Sequence, residues 1–279
     1  MQDIMNLPPE RLGEGTSVTV GILPTAEDLY WDIAWRMLRE LQRAEAENAT
    51  AVFIVPVGPV GQYERLARLC NDLRVSLARG VFFGMDEYLT DDLQWIPQEH
   101  PLSFRAHLRR EMLRPLDPAL HPPDDSIVFP WPEDPGALDR RIEELGGPDL
   151  CVGGIGITGH IAFNEPPGPG EDLSVEEFAA LGSRVVELTC ETRTINSTTV
   201  AGGNIEAIFR YAVTIGMKQI LSARELRLYA NRSWQPSVVR RALHGPVTAR
   251  FPASLAQRHP NAHLYLTREA AQPAGLQLA

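Results

Sequence analysis

Short apolar runs alternate along this chain with stretches whose apolar residues recur every three or four positions. Val18 to Leu23 reads as a strand. The set Ala26, Leu29, Tyr30, Ile33, Ala34, Met37, Leu38 and Leu41 then marks one face of a long amphipathic helix. Ala51 to Val55 is continuously apolar, the mark of a parallel strand buried on both faces. A Pro/Gly loop and a helical stretch around Tyr63 to Leu73 follow, then a strand from Val81 to Met85 that ends at Asp86-Glu87. Ser103 to Leu113 and Ala137 to Leu145 read as helices, the second stopped by Gly146-Gly147. Short strands are expected at Ser126 to Phe129 and Asp149 to Val152, and later ones at Arg184 to Leu188, Ala212 to Ile215, Glu225 to Tyr229 and His263 to Leu266. Helices near Pro236 to Leu243 and Pro252 to Arg258 separate the last of these.

Such alternation predicts an α/β fold, Rossmann-like in architecture, with a mostly parallel sheet covered by helices on both faces. The 279 residues contain no Gly/Ser-rich linker and no internal repeat, so 1–279 reads as a single domain. The Pro-rich stretches, Pro115 to Pro135 and Pro166 to Pro169, read as surface loops within it. Ligands in open α/β sheets bind at the carboxyl ends of strands. Three such ends carry chemistry here: Pro56 to Gly61, Asp86-Glu87, and Gly153 to Glu165. Together they predict one site.

Composition narrows the partners. Hydrophobic residues make up 44% and charged residues 22%, ordinary for a globular protein. A net charge of −10 argues against nucleic acid and gives no attraction to anionic membranes, so an anionic substrate would have to be held by local groups. Cys70, Cys151 and Cys190 are odd in number and lack Cys-x-x-Cys spacing, which speaks against a disulfide framework or thiolate zinc site and for a reducing cytoplasm. Met1 to Gly15 lacks a signal pattern, and no apolar run nears the length of a membrane span. A cytoplasmic protein acting on a small molecule is expected.

The densest chemistry lies in Gly153-Gly154-Ile155-Gly156-Ile157-Thr158-Gly159-His160-Ile161-Ala162-Phe163-Asn164-Glu165-Pro166. Glycines at 153, 154, 156 and 159 allow backbone to approach a ligand closely. They do not form a dinucleotide fingerprint, because His160 to Phe163 reads as loop where that motif needs a helix. His160 is one of seven histidines, and a lone histidine is more often structural than catalytic. Its glycine-rich setting and the nearby Glu165 favour catalysis: a neutral imidazole can take the anomeric hydroxyl proton as a sugar ring opens, and a carboxylate would fix its tautomer. Asp86, at a strand end, is suited to moving a proton between adjacent sugar carbons, although acidic residues also sit at such junctions merely because they are solvated there.

The segments Gly84-Met85-Asp86-Glu87-Tyr88-Leu89, Glu99-His100-Pro101-Leu102-Ser103, Gly153 to Pro166, Thr192-Arg193-Thr194-Ile195-Asn196-Ser197 and Ala212-Val213-Thr214-Ile215-Gly216 resemble, in order, the glucosamine-6-phosphate deaminase/isomerase family. The resemblance covers roughly residues 18 to 267. It implies the same Rossmann-like fold and an isomerase or deaminase that needs no metal or cofactor. The chemistry implied is C1/C2 isomerisation, with ammonia released when C2 carries an amine. It assigns Asp86 as the C1/C2 proton base, His160 as the ring-opening residue and Glu165 as its paired carboxylate. Gly58, Glu87, Gly154, Gly156, Thr158 and Arg193 are the expected substrate-binding positions. A homo-oligomer is compatible with the resemblance. Phosphogluconolactonases, which are hydrolases, are similar in fold but normally lack the Phe-Asn-Glu-Pro ending.

Two departures stand out. The family's aspartate two residues before the histidine is here Thr158, which bonds an imidazole without supplying charge. Losing a charge-assisted hydrogen bond costs about 1.5–3 kcal/mol, roughly one to two decades in rate if it acts only in the transition state. The family's phosphate loop resembles Pro-Thr-Gly-Gly-Thr-Pro. Here it is Pro56-Val57-Gly58-Pro59-Val60-Gly61, with both hydroxyls replaced by valine and one N–H removed by Pro59. The position of the family's phosphate-binding lysine falls at Trp234, with Arg232 nearby, and Arg193 is the retained anion-binding candidate. The expected substrate is therefore a sugar or sugar phosphate, unphosphorylated or differently substituted. The rival expectations are a sugar-binding regulatory homologue that has lost turnover and a lactonase.

Overall fold

A computed structural model describes residues 2–275. Seven parallel strands form the main sheet: β1 (Thr19–Leu23), β2 (Ala51–Val55), β3 (Gly80–Gly84), β5 (Ile127–Val128), β6 (Leu150–Gly154), β9 (Glu225–Ala230) and β10 (Ala262–Thr267). Their spatial order is β1-β10-β9-β6-β2-β3-β5. The three central strands in this order, β9, β6 and β2, therefore end side by side, with β3 adjacent. All five residues of β2 are buried, as its unbroken apolar run requires.

Helix Ala26–Glu47 follows β1 and lays Leu29, Ile33, Met37, Leu38 and Leu41 against the sheet. It starts from a capping box in which Thr25 accepts from the Asp28 amide while the Asp28 side chain accepts from Thr25. One core cluster lies on this side with Tyr63, Leu66 and Phe82. Another lies on the opposite side, around Ile54, Phe83, Leu228, Val239 and Leu255. The expected layers of helix, sheet and helix are present. Helix Gly136–Glu144 ends before Gly146 and Gly147, whose φ values of 86° and 92° are left-handed. No helix among the described residues is long and apolar enough to cross a membrane.

The sequence reading needs one correction. Arg184 to Leu188 and Ala212 to Ile215 are strands, but they do not join the parallel sheet. With β4 (Asp86–Leu89) they form a separate antiparallel sheet, ordered β4-β8-β7, where β7 is Arg184–Glu187 and β8 is Tyr211–Thr214. Met85 is the pivot: its N–H donates to Val55 O of the parallel ladder, while its carbonyl accepts from Ile215 N beside β8. Asp86 thus opens a second strand, and Asp86 and Glu87 point to opposite faces of it.

Candidate active site

A cavity of about 240 Å³ opens at the carboxyl ends of β2, β6 and β9. Its walls include Gly58 and Val60 after β2, Asp86 at the start of β4, Gly154 at the end of β6, Gly156 and His160 after it, and Arg232 and Trp234 after β9. The three strand ends singled out in the sequence converge here, joined by the loop after β9. Asp86 and His160 line the same space. Among the described residues no group of three or more His, Cys, Asp or Glu side chains is placed to hold a metal ion.

The chain after β6 turns tightly. Gly156 N donates to His160 O and Gly159 N to Gly156 O, both at 2.9 Å. Gly159 has φ 85°, and a side chain there would run into Phe251. Gly156 has a different reason to be glycine: a methyl group there would overlap His160 Nε2 and Cε1. Gly154 lies against the Gly58 carbonyl, 3.4 Å from where its Cβ would be. Glycine at 156 lets the imidazole close on the cavity floor, whereas a Cβ at 154 would make only an ordinary contact with the β2 loop.

Behind His160 stands a polar relay. Thr158 Oγ1 donates to Glu165 Oε2 at 2.7 Å and lies 2.9 Å from His160 Nδ1. A hydroxyl has one proton, so toward the imidazole Thr158 can only accept, and Nδ1 carries the hydrogen. Nε2, on the Gly156 side, then presents a lone pair. Glu165 Oε2 is itself 3.3 Å from Nδ1, as is Thr192 Oγ1. Burial pushes the Glu165 carboxyl up, but His160, Thr192 and Thr158 together outweigh it and hold the group below its usual range. Its second oxygen, Oε1, is buried with no hydrogen-bond partner among the described residues.

Asp86 is 7% exposed and lines the cavity. Burial, with a smaller contribution from the adjacent Glu87 charge, pushes its carboxyl well above the ordinary range. A carboxylate displaced in that direction is a stronger base.

Of the expected substrate-binding positions, Gly58, Gly154 and Gly156 line the cavity and Glu87, Thr158 and Arg193 do not. Glu87 faces away from Asp86 and is fully buried, accepting from Ser103 Oγ, from the amides of Tyr88, Phe104 and Arg105, and from Arg105 Nε. It anchors the segment whose Leu102 and Phe104 form one cavity wall. Thr158 stands behind the imidazole, as described above. Arg193 Nε and Nη2 bond the carbonyls of Ile208 and Ile205, each at 3.3 Å.

Arg193 lies on helix Cys190–Val200, which offers the cavity Ile195, Asn196, Thr199 and Val200 and sets Thr192 beside His160. That spacing of three and four was the available signal for these positions; position 193, three residues before Asn196 and seven before Val200, is not removed from their face by helix rotation and stays out of the cavity because its guanidinium bonds the two carbonyls. Asn196, which donates to Tyr88 Oη at 3.1 Å within the cavity wall, was also missed. In the Phe-Asn-Glu-Pro ending, Asn164 is a strut: its Nδ2 bonds the Ile161 and Ile215 carbonyls and its Oδ1 accepts from Arg184.

No protein-family model matches the chain. It is 33% identical over 224 residues to a glucosamine-6-phosphate deaminase from Bifidobacterium longum, covering 76% of this chain and 77% of that one. A glucosamine-6-phosphate deaminase from Rhodopirellula baltica is 30% identical over 258 residues, covering 91% of this chain and 95% of the other. A solved monomeric glucosamine-6-phosphate deaminase superposes with a TM-score of 0.76 at 26% identity, covering 91% of this chain and 99% of that one. A 6-phosphogluconolactonase from Thermotoga maritima superposes at 0.64 with 13% identity, covering 90% and 100%, which shows a shared fold.

Proposed function

The chain belongs to the glucosamine-6-phosphate deaminase family and is an enzyme of that type, and we propose that it opens and rearranges an amino sugar, or a related aldose or ketose, that carries no phosphate dianion. The observation that carries the chemistry is the shared cavity of Asp86 and His160. His160 Nε2 takes the anomeric hydroxyl proton and returns one to the ring oxygen. Thr158 and Glu165 hold the opposite nitrogen protonated and in place. Asp86 then moves the proton between C2 and C1, its raised pKa matching it to an acidic carbon better than an ordinary solvated carboxylate. Where C2 carries an amine, the shift leaves a ketimine at C2, and a solvent water adds to it, supplying the ketone oxygen as ammonia departs.

What supports the missing phosphate is the lining that the loops after β2 and β9 give the cavity. Val57, Pro59 and Val60 line it after β2, with Trp234 after β9. A dianion transferred there from water needs several strong donors. Valine and proline side chains supply none, and the Pro59 nitrogen has no hydrogen to give.

Solvent-deuterium incorporation at C2, followed by NMR, tests the chemistry on glucosamine and its relatives. Incorporation that disappears in Asp86→Asn is the expected result. Calorimetry with glucosamine and glucosamine 6-phosphate tests the substrate: the phosphate should bind no better than the neutral sugar. Tighter binding of the phosphate would overturn that part of the reading. Trp234→Lys should reverse the preference, tightening the phosphate by roughly tenfold if one charge-assisted bond is gained.

A further inference from the structure

Arg232 is the one arginine or lysine among the residues lining the cavity. Its place is built rather than incidental. Gln235 is 4% exposed, and its Oε1 accepts from both Asn231 N and Arg232 N at 2.8 Å while its Nε2 donates to Ile155 O at 2.8 Å. One buried amide thus ties the loop after β9 to the turn that carries His160. Asn231 is held from its other side, donating to Tyr30 Oη at 3.2 Å. The Arg232 backbone is fixed, yet its guanidinium has no acceptor among the described residues. Most other arginines near buried surface are spent on carboxylates or carbonyls, as in the Arg227–Asp32 pair and in Arg240, which bonds the carbonyls of Leu7, Pro236 and Ala271.

We propose that Arg232 is the receptor for a carboxylate on the substrate, so that the natural ligand is a carboxylated sugar of the 2-amino-uronic-acid class. This deepens the reading above and rests on it for the chemistry alone. Charge balance decides between the anions. A phosphate dianion beside one guanidinium leaves a full negative charge uncompensated in a cavity that already holds Asp86. A carboxylate carries a single charge, and its two oxygens match the planar fork of a guanidinium. The apolar neighbours strengthen that pair by excluding water, and the flat indole of Trp234 offers a sugar face a surface to rest on.

The test compares glucosamine, glucosamine 6-phosphate and 2-amino-2-deoxyglucuronate by calorimetry, and separately by C2 deuterium incorporation. Wild type should bind the uronate roughly tenfold to a hundredfold more tightly than neutral glucosamine, the range of one bidentate charged contact. In Arg232→Gln that ratio should collapse toward one. Arg232→Lys should leave it in between, because the charge stays and the fork is lost. An affinity ratio unchanged by Arg232→Gln, with circular dichroism showing a folded variant, would overturn the proposal, and so would a wild-type preference for the phosphate. The two readings fail separately. Arg232-dependent uronate binding without deuterium incorporation would sink the isomerase reading and keep the carboxylate site. Incorporation with an affinity indifferent to Arg232 would do the reverse.

Discussion

Thr158 Oγ1 donates to Glu165 Oε2 at 2.7 Å, and that single proton commitment orients the catalytic candidate His160. The hydroxyl transmits the carboxylate's polarity to Nδ1 without placing a second negative charge beside the imidazole. Thr158→Val should therefore lower kcat for C2 exchange by about one to two orders of magnitude, the equivalent of about 1.5–3 kcal/mol for a lost charge-assisted bond. Thr158→Ser, which keeps the hydroxyl, should stay close to wild type. Equal rates in the valine and wild-type enzymes would show that the relay carries no catalytic weight.

Asp86 should set the acid limb of the pH–rate profile. As a base it must be ionised, and burial together with Glu87 moves its pKa upward, so activity should begin to rise at a pH well above the ordinary aspartate range. The same shift has a stability consequence of opposite use. Between the unfolded and folded pKa values the folded chain holds more protons than the unfolded one, so stability falls as pH rises through that window. Asp86→Asn should abolish exchange and yet raise the melting temperature at neutral pH relative to wild type. A lower melting temperature in the asparagine variant would contradict the assigned desolvation.

Glu87→Ala separates support from chemistry. The carboxylate is the acceptor for Ser103, three amides and Arg105, so its removal strands several buried donors. Breaking such a buried pair costs about 3–5 kcal/mol, readable as a shift in the urea midpoint. Leu102 and Phe104 should then lose their fixed position on the cavity wall, raising KM more than it lowers kcat.

Gly156→Ala tests the closeness of backbone and imidazole. The added methyl overlaps His160 Nε2, and the ring has the cavity to rotate into. Exchange activity should fall by about 100-fold, as expected when a catalytic group is misplaced by an ångström, with only a small change in melting temperature. Retained activity would mean that Nε2 is not the working nitrogen.

Much of this architecture was legible in the chain. The five buried residues of β2 and the amphipathic face from Ala26 to Leu41 leave their periods in the sequence, because burial on two faces or one fixes which positions are apolar. The glycines around His160 were legible for the same kind of reason, since each answers a local steric demand. Asp86 and His160 could be nominated from their settings. Their convergence followed from the rule that ligands sit at strand ends, even though the loop after β9 was not included.

What the sequence could not decide was direction. Asp86 and Glu87 are neighbours of identical charge, and only the pivot at Met85 into an antiparallel sheet sends one into the cavity and buries the other beneath Arg105. Arg193 sits in a segment that resembles the family, yet the stretch after its helix offers the Ile205 and Ile208 carbonyls to its guanidinium, while Thr192 stands beside His160 and Asn196 lines the cavity. Thr158 reads as a substrate contact, and the fold sets its hydroxyl between Glu165 and the far nitrogen of His160. Periodicity and turn chemistry are local properties that each residue carries with it. Which side of a strand or helix meets the ligand depends on how distant elements cross, and that was settled only when the two sheets packed together.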